Sequence, residues 1–208
     1  MGKFVVKDSF YNKAKKEGFR ARSAYKLKEI QDKYHLIRKG DRVLDLGCSP
    51  GSFLQVLSDL VGEKGSVLGI DILPTPKLQQ TNVTAVQMDI RHIDFSKPPF
   101  GPSSNDFDVV TCDIAPNLSG IRDVDNARIE ELSETVLKIV REALKQNGAF
   151  ILKSFFVETL KTTMQDLRRL FGNVTLYKPA ASRSVSSEVY LICTTKKQGT
   201  ERKEHSAG

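Results

Sequence analysis

From Asp41 onward the chain alternates between short apolar runs that stop at Gly or Asp and segments with apolar residues at helical spacing. That alternation restricts the fold more than any other feature. Residues 42–46 form an apolar run ending at Gly47, and 53–61 follow with helical periodicity. Strand-like runs recur at 66–71, 83–88, 107–113 and 149–155. A long amphipathic stretch, 124–146, is closed by Asn147-Gly148, which reads as a helix stop. Residues 158–171 then place Leu160, Met164, Leu167 and Leu170 on one helical face, and 174–177 and 188–194 read as two closing strands. Such a pattern predicts an α/β fold: a mostly parallel seven-stranded sheet with helices on both faces. The ten residues between the last two strands carry no helical pattern and are too few for a parallel crossover, so these strands are expected as an antiparallel pair at one edge.

A chain of 208 residues fits one domain and can bury a core without disulfide or metal staples. No apolar run approaches the about 20 residues needed to span a bilayer, and the first residues lack the pattern of a secretory signal. Cys48, Cys112 and Cys193 are scattered in apolar surroundings with no metal or redox spacing, and His35, His92 and His205 form no cluster. These observations predict reduced cysteines, a cytoplasmic protein, no metal and no membrane contact.

Charge is unevenly placed. Residues 1–42 hold thirteen Lys or Arg against five Asp or Glu, whereas the whole chain carries +7, so the remainder is close to neutral. A charge run is ordinarily a solvated helix face, but an excess this one-sided also matches an electrostatic footprint for a polyanion such as RNA. Residues 1–40 read as a basic helical extension in two pieces, 4–16 and 22–34, with Ser23 a possible cap for the second. Residues 41–195 form the main domain, and 196–208 a loose polar tail.

Ligands of open α/β sheets bind beyond the carboxyl ends of the strands. The first such end is Val43-Leu-Asp-Leu-Gly-Cys-Ser-Pro-Gly-Ser-Phe53, where Gly47 and Gly51 allow a sharp turn and close approach to a ligand. The spacing lacks the glycines that hug a pyrophosphate, which favours a nucleoside without phosphates. Asp71 ends the second strand, where a carboxylate can accept from both ribose hydroxyls, and Asp89 ends the third, where one can accept from an adenine amino group. Each Asp alone could equally be a helix cap.

Three segments, Asp45-Leu-Gly-Cys-Ser-Pro-Gly-Ser-Phe53, Asp113-Ile-Ala-Pro-Asn-Leu-Ser-Gly120 and Ser182-Arg-Ser-Val-Ser-Ser-Glu-Val-Tyr190, together resemble the FtsJ/RrmJ family of RNA 2′-O-ribose methyltransferases. The likeness runs from about Phe19 to Thr194. It implies a Rossmann-like methyltransferase fold, S-adenosylmethionine as cofactor, and a pocket lined by Gly51, Phe53, Asp71, Asp89 and Asp113. Ser52-Phe53 stands where bacterial members often have Gly-Trp. The resemblance also implies a catalytic Lys-Asp-Lys-Glu set, carried here by Lys26, Asp113, Lys153 and Glu188. Independently of it, Lys153 closes a strongly apolar strand, where a charge is costly unless paired. Lys26 alone looks like any lysine on a basic helix.

Methyl transfer to a ribose hydroxyl needs alignment of oxygen, methyl and sulfur, and a destination for one proton. Lys153 in neutral form could accept that proton, or as an ammonium it could orient the hydroxyl while water takes the proton. Short members of the family resemble the enzymes acting on a uridine of large-subunit (23S-type) ribosomal RNA, which makes that RNA or the large ribosomal subunit the expected partner of a monomeric protein. The alternatives are a tRNA 2′-O-ribose methyltransferase, a non-catalytic ribosome-assembly factor on the same scaffold, or a small-molecule methyltransferase. The last would not need the basic segment, and the assembly factor would not need the intact catalytic set.

Overall fold

The computed structural model describes residues 9–100, 106–116, 119–155, 159–182 and 186–197. Helices α1 (Ser9–Lys16) and α2 (Ser23–Tyr34) precede β1 (Arg42–Leu46), α3 (Ser52–Val61), β2 (Ser66–Asp71) and β3 (Val83–Gln87). Then come β4 (Phe107–Cys112), α4 (Arg122–Ala143), β5 (Leu144–Phe155), α5 (Leu160–Leu170), β6 (Phe171–Tyr177) and β7 (Glu188–Lys196). The seven strands form one sheet in the order β3-β2-β1-β4-β5-β7-β6. β3 to β5 run parallel, and β7 is antiparallel to both β5 and β6. The expected antiparallel pair is therefore present at one edge, and the reversed strand within it is the inner one, β7.

Side chains alternate across the pleat, so each strand feeds two cores. Leu44, Leu46, Val110, Cys112, Phe150, Leu152 and Leu191 join Val136, Val140 and Leu167 on the side of α4 and α5. Val43, Val109, Ile151, Tyr190 and Ile192 join Ala24, Leu27, Ile30, Leu54 and Leu57 on the side of α2 and α3. Ala24, Leu27 and Ile30, at helical spacing, thus form the face that α2 presents to α3 and the sheet.

Two local expectations are corrected. Ser23 does not cap α2: Arg22 occupies the N-cap position and its side chain makes no capping bond, and Ser23 Oγ meets Ser52 Oγ at 2.7 Å at the start of α3. The long helix stops at Ala143, earlier than Asn147-Gly148, and β5 begins at Leu144. Those two residues lie instead in an irregular stretch of β5, where Phe107 pairs with Leu144 and Val109 with Ala149. A Cβ at Gly148 would meet Leu144 Cδ1 at 2.5 Å and Asp108 O at 2.8 Å, so glycine there serves a crowded strand bulge. The helix end is held by a distant residue: Lys196 Nζ donates to Val140 O at 3.1 Å, Arg141 O at 2.8 Å and also to Leu144 O. The reading of 4–8 as helical and of 198–208 as a tail falls outside the described residues.

Candidate active site

Strand order reverses beside β1, because the chain moves outward to β2 and β3 and then returns to place β4 on the other side. The crevice at the carboxyl ends of β1 and β4 is the place such sheets offer a ligand. Gly47 ends β1 with φ +80° and donates its N–H to Ile70 O at 2.8 Å. A Cβ there would lie 2.5 Å from Ile114 Cγ1 and 3.0 Å from Ile114 N, so the glycine lets the segment after β4 close against the loop after β1. Asp71, at the end of β2, accepts Ser49 N and Leu73 N at 2.8 Å each, one on either oxygen. Its carboxylate is fixed in direction and keeps acceptor capacity for a ligand's hydroxyls.

Asp89 and Phe53 occupy quieter positions. Asp89 caps a short 3₁₀ turn, Ile90–His92, accepting from Arg91 N at 2.9 Å, and pairs with the Arg91 guanidinium at 2.6 Å. These bonds hold its carboxyl down at about 2. Of the two roles open to a strand-end Asp, the structure displays the cap. Phe53 is buried among the apolar residues between α2, α3 and the sheet.

One carboxyl stands out beneath the glycine loop. Asp45 is fully buried; its Oδ1 accepts from Thr111 Oγ1 at 2.6 Å, while Oδ2 has no hydrogen-bond partner. Burial pushes its pKa up to about 8, opposed by the Thr111 bond and reinforced by Asp113 and Asp71. The carboxylates of Asp71 and Asp113 give the crevice its negative character, suited to a cationic ligand, and raise the pKa of the protonated Asp45 carboxyl beneath them. S-adenosylmethionine, which carries a sulfonium and an ammonium, has that chemistry.

Next to the crevice the four charged residues assemble as two pairs. Lys26 Nζ, on α2, lies 2.5 Å from Glu188 Oε1 at the start of β7, and both side chains are largely buried. Lys153 Nζ, on β5, lies 3.3 Å from Asp113 Oδ1 and also donates to the Asp113 main-chain carbonyl. Strand register brings the pairs together, since Lys153 is opposite Tyr190 and Phe155 is opposite Glu188. Burial alone would raise the Glu188 pKa; the bond and charge of Lys26, the Ser182 hydroxyl at 3.0 Å and the charge of Lys153 outweigh it and hold Glu188 below its ordinary value. Lys153 makes the contacts of an ammonium, donating to a carbonyl and facing a carboxylate.

The sequence did not reveal three supporting residues. Tyr190 donates its phenol to Asp113 Oδ1 at 2.7 Å, and burial, with Asp113 and Glu188 beside it, keeps that phenol protonated. Glu29, one turn after Lys26 on α2, accepts Ala180 N and Ala181 N at 2.7 and 2.9 Å and so steadies the approach to Glu188. Arg20 bonds three carbonyls of the loops after β1 and β2. A tyrosine two residues beyond a functional Glu was the one local signal, because residues i and i+2 of a strand share a face. Asn117 of the Asp113 motif and Arg183 of the 178–183 loop lie outside the described residues, and Lys178 Nζ donates to Ser186 O at 2.9 Å. Among the described residues no three His, Cys, Asp or Glu side chains are grouped to hold a metal ion.

Residues 19–196 match the FtsJ-like methyltransferase family. The chain is 44% identical over 186 residues to the ribosomal RNA large subunit methyltransferase E of Methanothrix thermoacetophila, covering 89% of this chain and 71% of that one. It is 40% identical over 196 residues to the protein of the same name from Bdellovibrio bacteriovorus, covering 92% and 97%. A solved structure described as a ribosomal RNA methyltransferase from Plasmodium falciparum superposes with a TM-score of 0.74, covering 86% of this chain and 98% of that one. At 24% identity that structure speaks for the fold.

Proposed function

The chain belongs to the FtsJ-like methyltransferase family, and on that premise we propose that it uses S-adenosylmethionine to methylate a ribose 2′-hydroxyl, at a uridine of large-subunit ribosomal RNA. The observation that carries this reading is the paired charge set beside the switch point: Lys153 with Asp113 and Lys26 with Glu188. S-adenosylmethionine, when bound, supplies an electrophilic methyl group on a positively charged sulfur. Gly51 and Asp71 would hold it, Asp71 accepting from the ribose hydroxyls, with Asp89 near the adenine end and Asp113 complementing its positive charge.

The residues of the chain then have separable tasks. Tyr190 and the Asp113 main chain orient the Asp113 carboxylate and Lys153, which together meet the incoming hydroxyl. The carboxylate holds the Lys153 nitrogen in place, and that nitrogen, having first released one of its own protons to solvent, accepts the hydroxyl's single hydrogen bond and takes its proton as methyl transfer proceeds. Glu188 and Lys26 neutralise each other, so Glu188 can hold the target ribose without leaving a lone buried charge. The basic N-terminal segment, residues 1–40 with its excess of Lys and Arg, supplies non-specific grip on phosphates. The target nucleotide has to leave its stack to reach this crevice.

Incubating the protein with methyl-labelled S-adenosylmethionine and, separately, large ribosomal subunits, free large-subunit RNA and tRNA tests the substrate. Label in large-subunit RNA supports the reading. Label in tRNA alone transfers the same chemistry to the other substrate, and no label in any RNA despite cofactor binding points to the assembly-factor alternative.

A further inference from the structure

Arg20 lies between α1 and α2, within the basic N-terminal segment, yet its guanidinium is turned to the cofactor side of the sheet. Nη1 donates to Pro50 O at 2.8 Å and Pro76 O at 2.7 Å, and Nη2 to Lys77 O at 2.7 Å. Pro50 belongs to the glycine loop after β1; Pro76 and Lys77 belong to the loop that follows Asp71. Main-chain and side-chain bonds anchor Arg20 itself: its N–H donates to Gln55 Oε1 at 3.0 Å, and Gln55 Nε2 donates to Gly18 O at 3.0 Å. The same two loops are further tied by Ser49 N on Asp71 and by Cys48 Sγ near Thr75 Oγ1 at 3.4 Å. Gly51 completes the fit. With φ +103°, a Cβ at that position would lie 2.8 Å from Arg20 Nη1, so the glycine leaves room for the guanidinium as well as for its own backbone turn.

Resting on the reading that S-adenosylmethionine binds at the ends of β1 and β2, we propose that Arg20 is a positioning residue for that cofactor: it clasps the two loops that frame the site and ties cofactor affinity to the basic N-terminal segment. A planar fork of donors can satisfy three carbonyls at fixed positions, whereas a lysine ammonium acts as a point charge and reproduces only part of the set. Three of its five N–H donors serve main-chain carbonyls, which fixes the guanidinium against the two loops. Its neighbours Lys16 and Arg22 are separate members of the same basic stretch.

The test is calorimetric titration of S-adenosylmethionine and S-adenosylhomocysteine into the full chain, wild type, Arg20→Lys and Arg20→Met, paired with KM values for cofactor and for RNA. The clasp predicts that Arg20→Met weakens cofactor Kd by about 10-fold or more, with Arg20→Lys between it and wild type. KM for cofactor follows Kd, while KM for RNA at saturating cofactor stays within about 3-fold. Should Arg20→Met unfold, the graded loss in Arg20→Lys decides the matter. Unchanged cofactor Kd in the variants with a raised KM for RNA would make Arg20 a phosphate contact and overturn the clasp. Absence of cofactor binding by the wild type itself would remove the reading beneath it, and the clasp with that.

Discussion

Lys26 and Glu188, 162 positions apart in the sequence, meet at 2.5 Å in a largely buried contact between α2 and β7. The pair welds the basic N-terminal segment to the far side of the sheet and places its carboxylate next to Lys153. Removing one member leaves the other charge buried and alone, so Lys26→Met and Glu188→Leu should each destabilise the protein by roughly 3 kcal/mol, whereas the double variant regains most of that loss. Methyl transfer should stay low in all three. Chemical denaturation beside activity measurements checks both halves. The pair also gives a pH signature: because Glu188 titrates below its ordinary value in the folded state, its contribution is complete above the unfolded value of about 4.3 and disappears as pH falls through the lower folded one.

Asp45 predicts the opposite slope. Its folded pKa of about 8 exceeds the unfolded value of about 3.9, so the folded state retains a proton that the unfolded state has lost. Its stabilising contribution is complete below about 4 and declines as pH rises toward 8, by at most about 4 kcal/mol at pH 7. Thermal melts between pH 5 and 8.5 should show the cofactor-free protein losing stability toward alkaline pH, and Asp45→Asn should flatten that slope. An identical slope in the variant would remove Asp45 as its source.

Tyr190 offers a mild probe of the Asp113–Lys153 pair. Tyr190→Phe keeps the buried ring and deletes only the 2.7 Å bond to Asp113 Oδ1. Losing one hydrogen bond to a charged group, worth about 1.5–3 kcal/mol, should lower kcat about 10- to 100-fold. Cofactor affinity should change little. Equal losses in kcat and in cofactor binding would mean that Tyr190 supports the whole crevice instead of the reacting pair.

Stability at the opposite end of the sheet depends on Lys196, whose Nζ serves the carbonyls that end α4. Lys196→Met keeps the apolar stem and orphans those carbonyls, a change expected to cost about 1–3 kcal/mol. For a domain of this size that is a fall in Tm of roughly 2–10 °C. Methyl transfer measured well below the new Tm should stay near wild type, because the antiparallel β7 carries Lys196 away from the carboxyl ends of the parallel strands.

Local patterning made most of the elements legible, from the β1–β4 runs to the helical faces of α2, α3 and α5. The placement of β7 between β5 and β6 was not, because a strand's neighbours are set by tertiary packing and not by its own sequence. Asn147-Gly148 misled for a related reason: the same dipeptide ends a helix or accommodates a bulge, and the crowding by Leu144 and Asp108 decides which. In the site, the strand-end positions of Asp71 and Asp113 followed from alternation alone, and Lys153 from the cost of a charge on an apolar strand. Lys26 became visible only through the family resemblance, since its meaning depends on a partner 162 positions away. Arg20, Glu29 and Tyr190 act through partners between 30 and 152 positions distant, a range over which composition and periodicity carry no information.

The central claim is that methyl groups go to a ribose 2′-oxygen, and alkaline hydrolysis tests it most directly. Large-subunit RNA labelled by the protein from S-adenosylmethionine is digested with alkali, which cleaves next to every free 2′-hydroxyl and cannot cleave next to a methylated one. Label in alkali-resistant dinucleotides, and its loss with Lys153→Met, is the predicted result. Label released entirely in mononucleotides would place the methyl on a base and contradict the account.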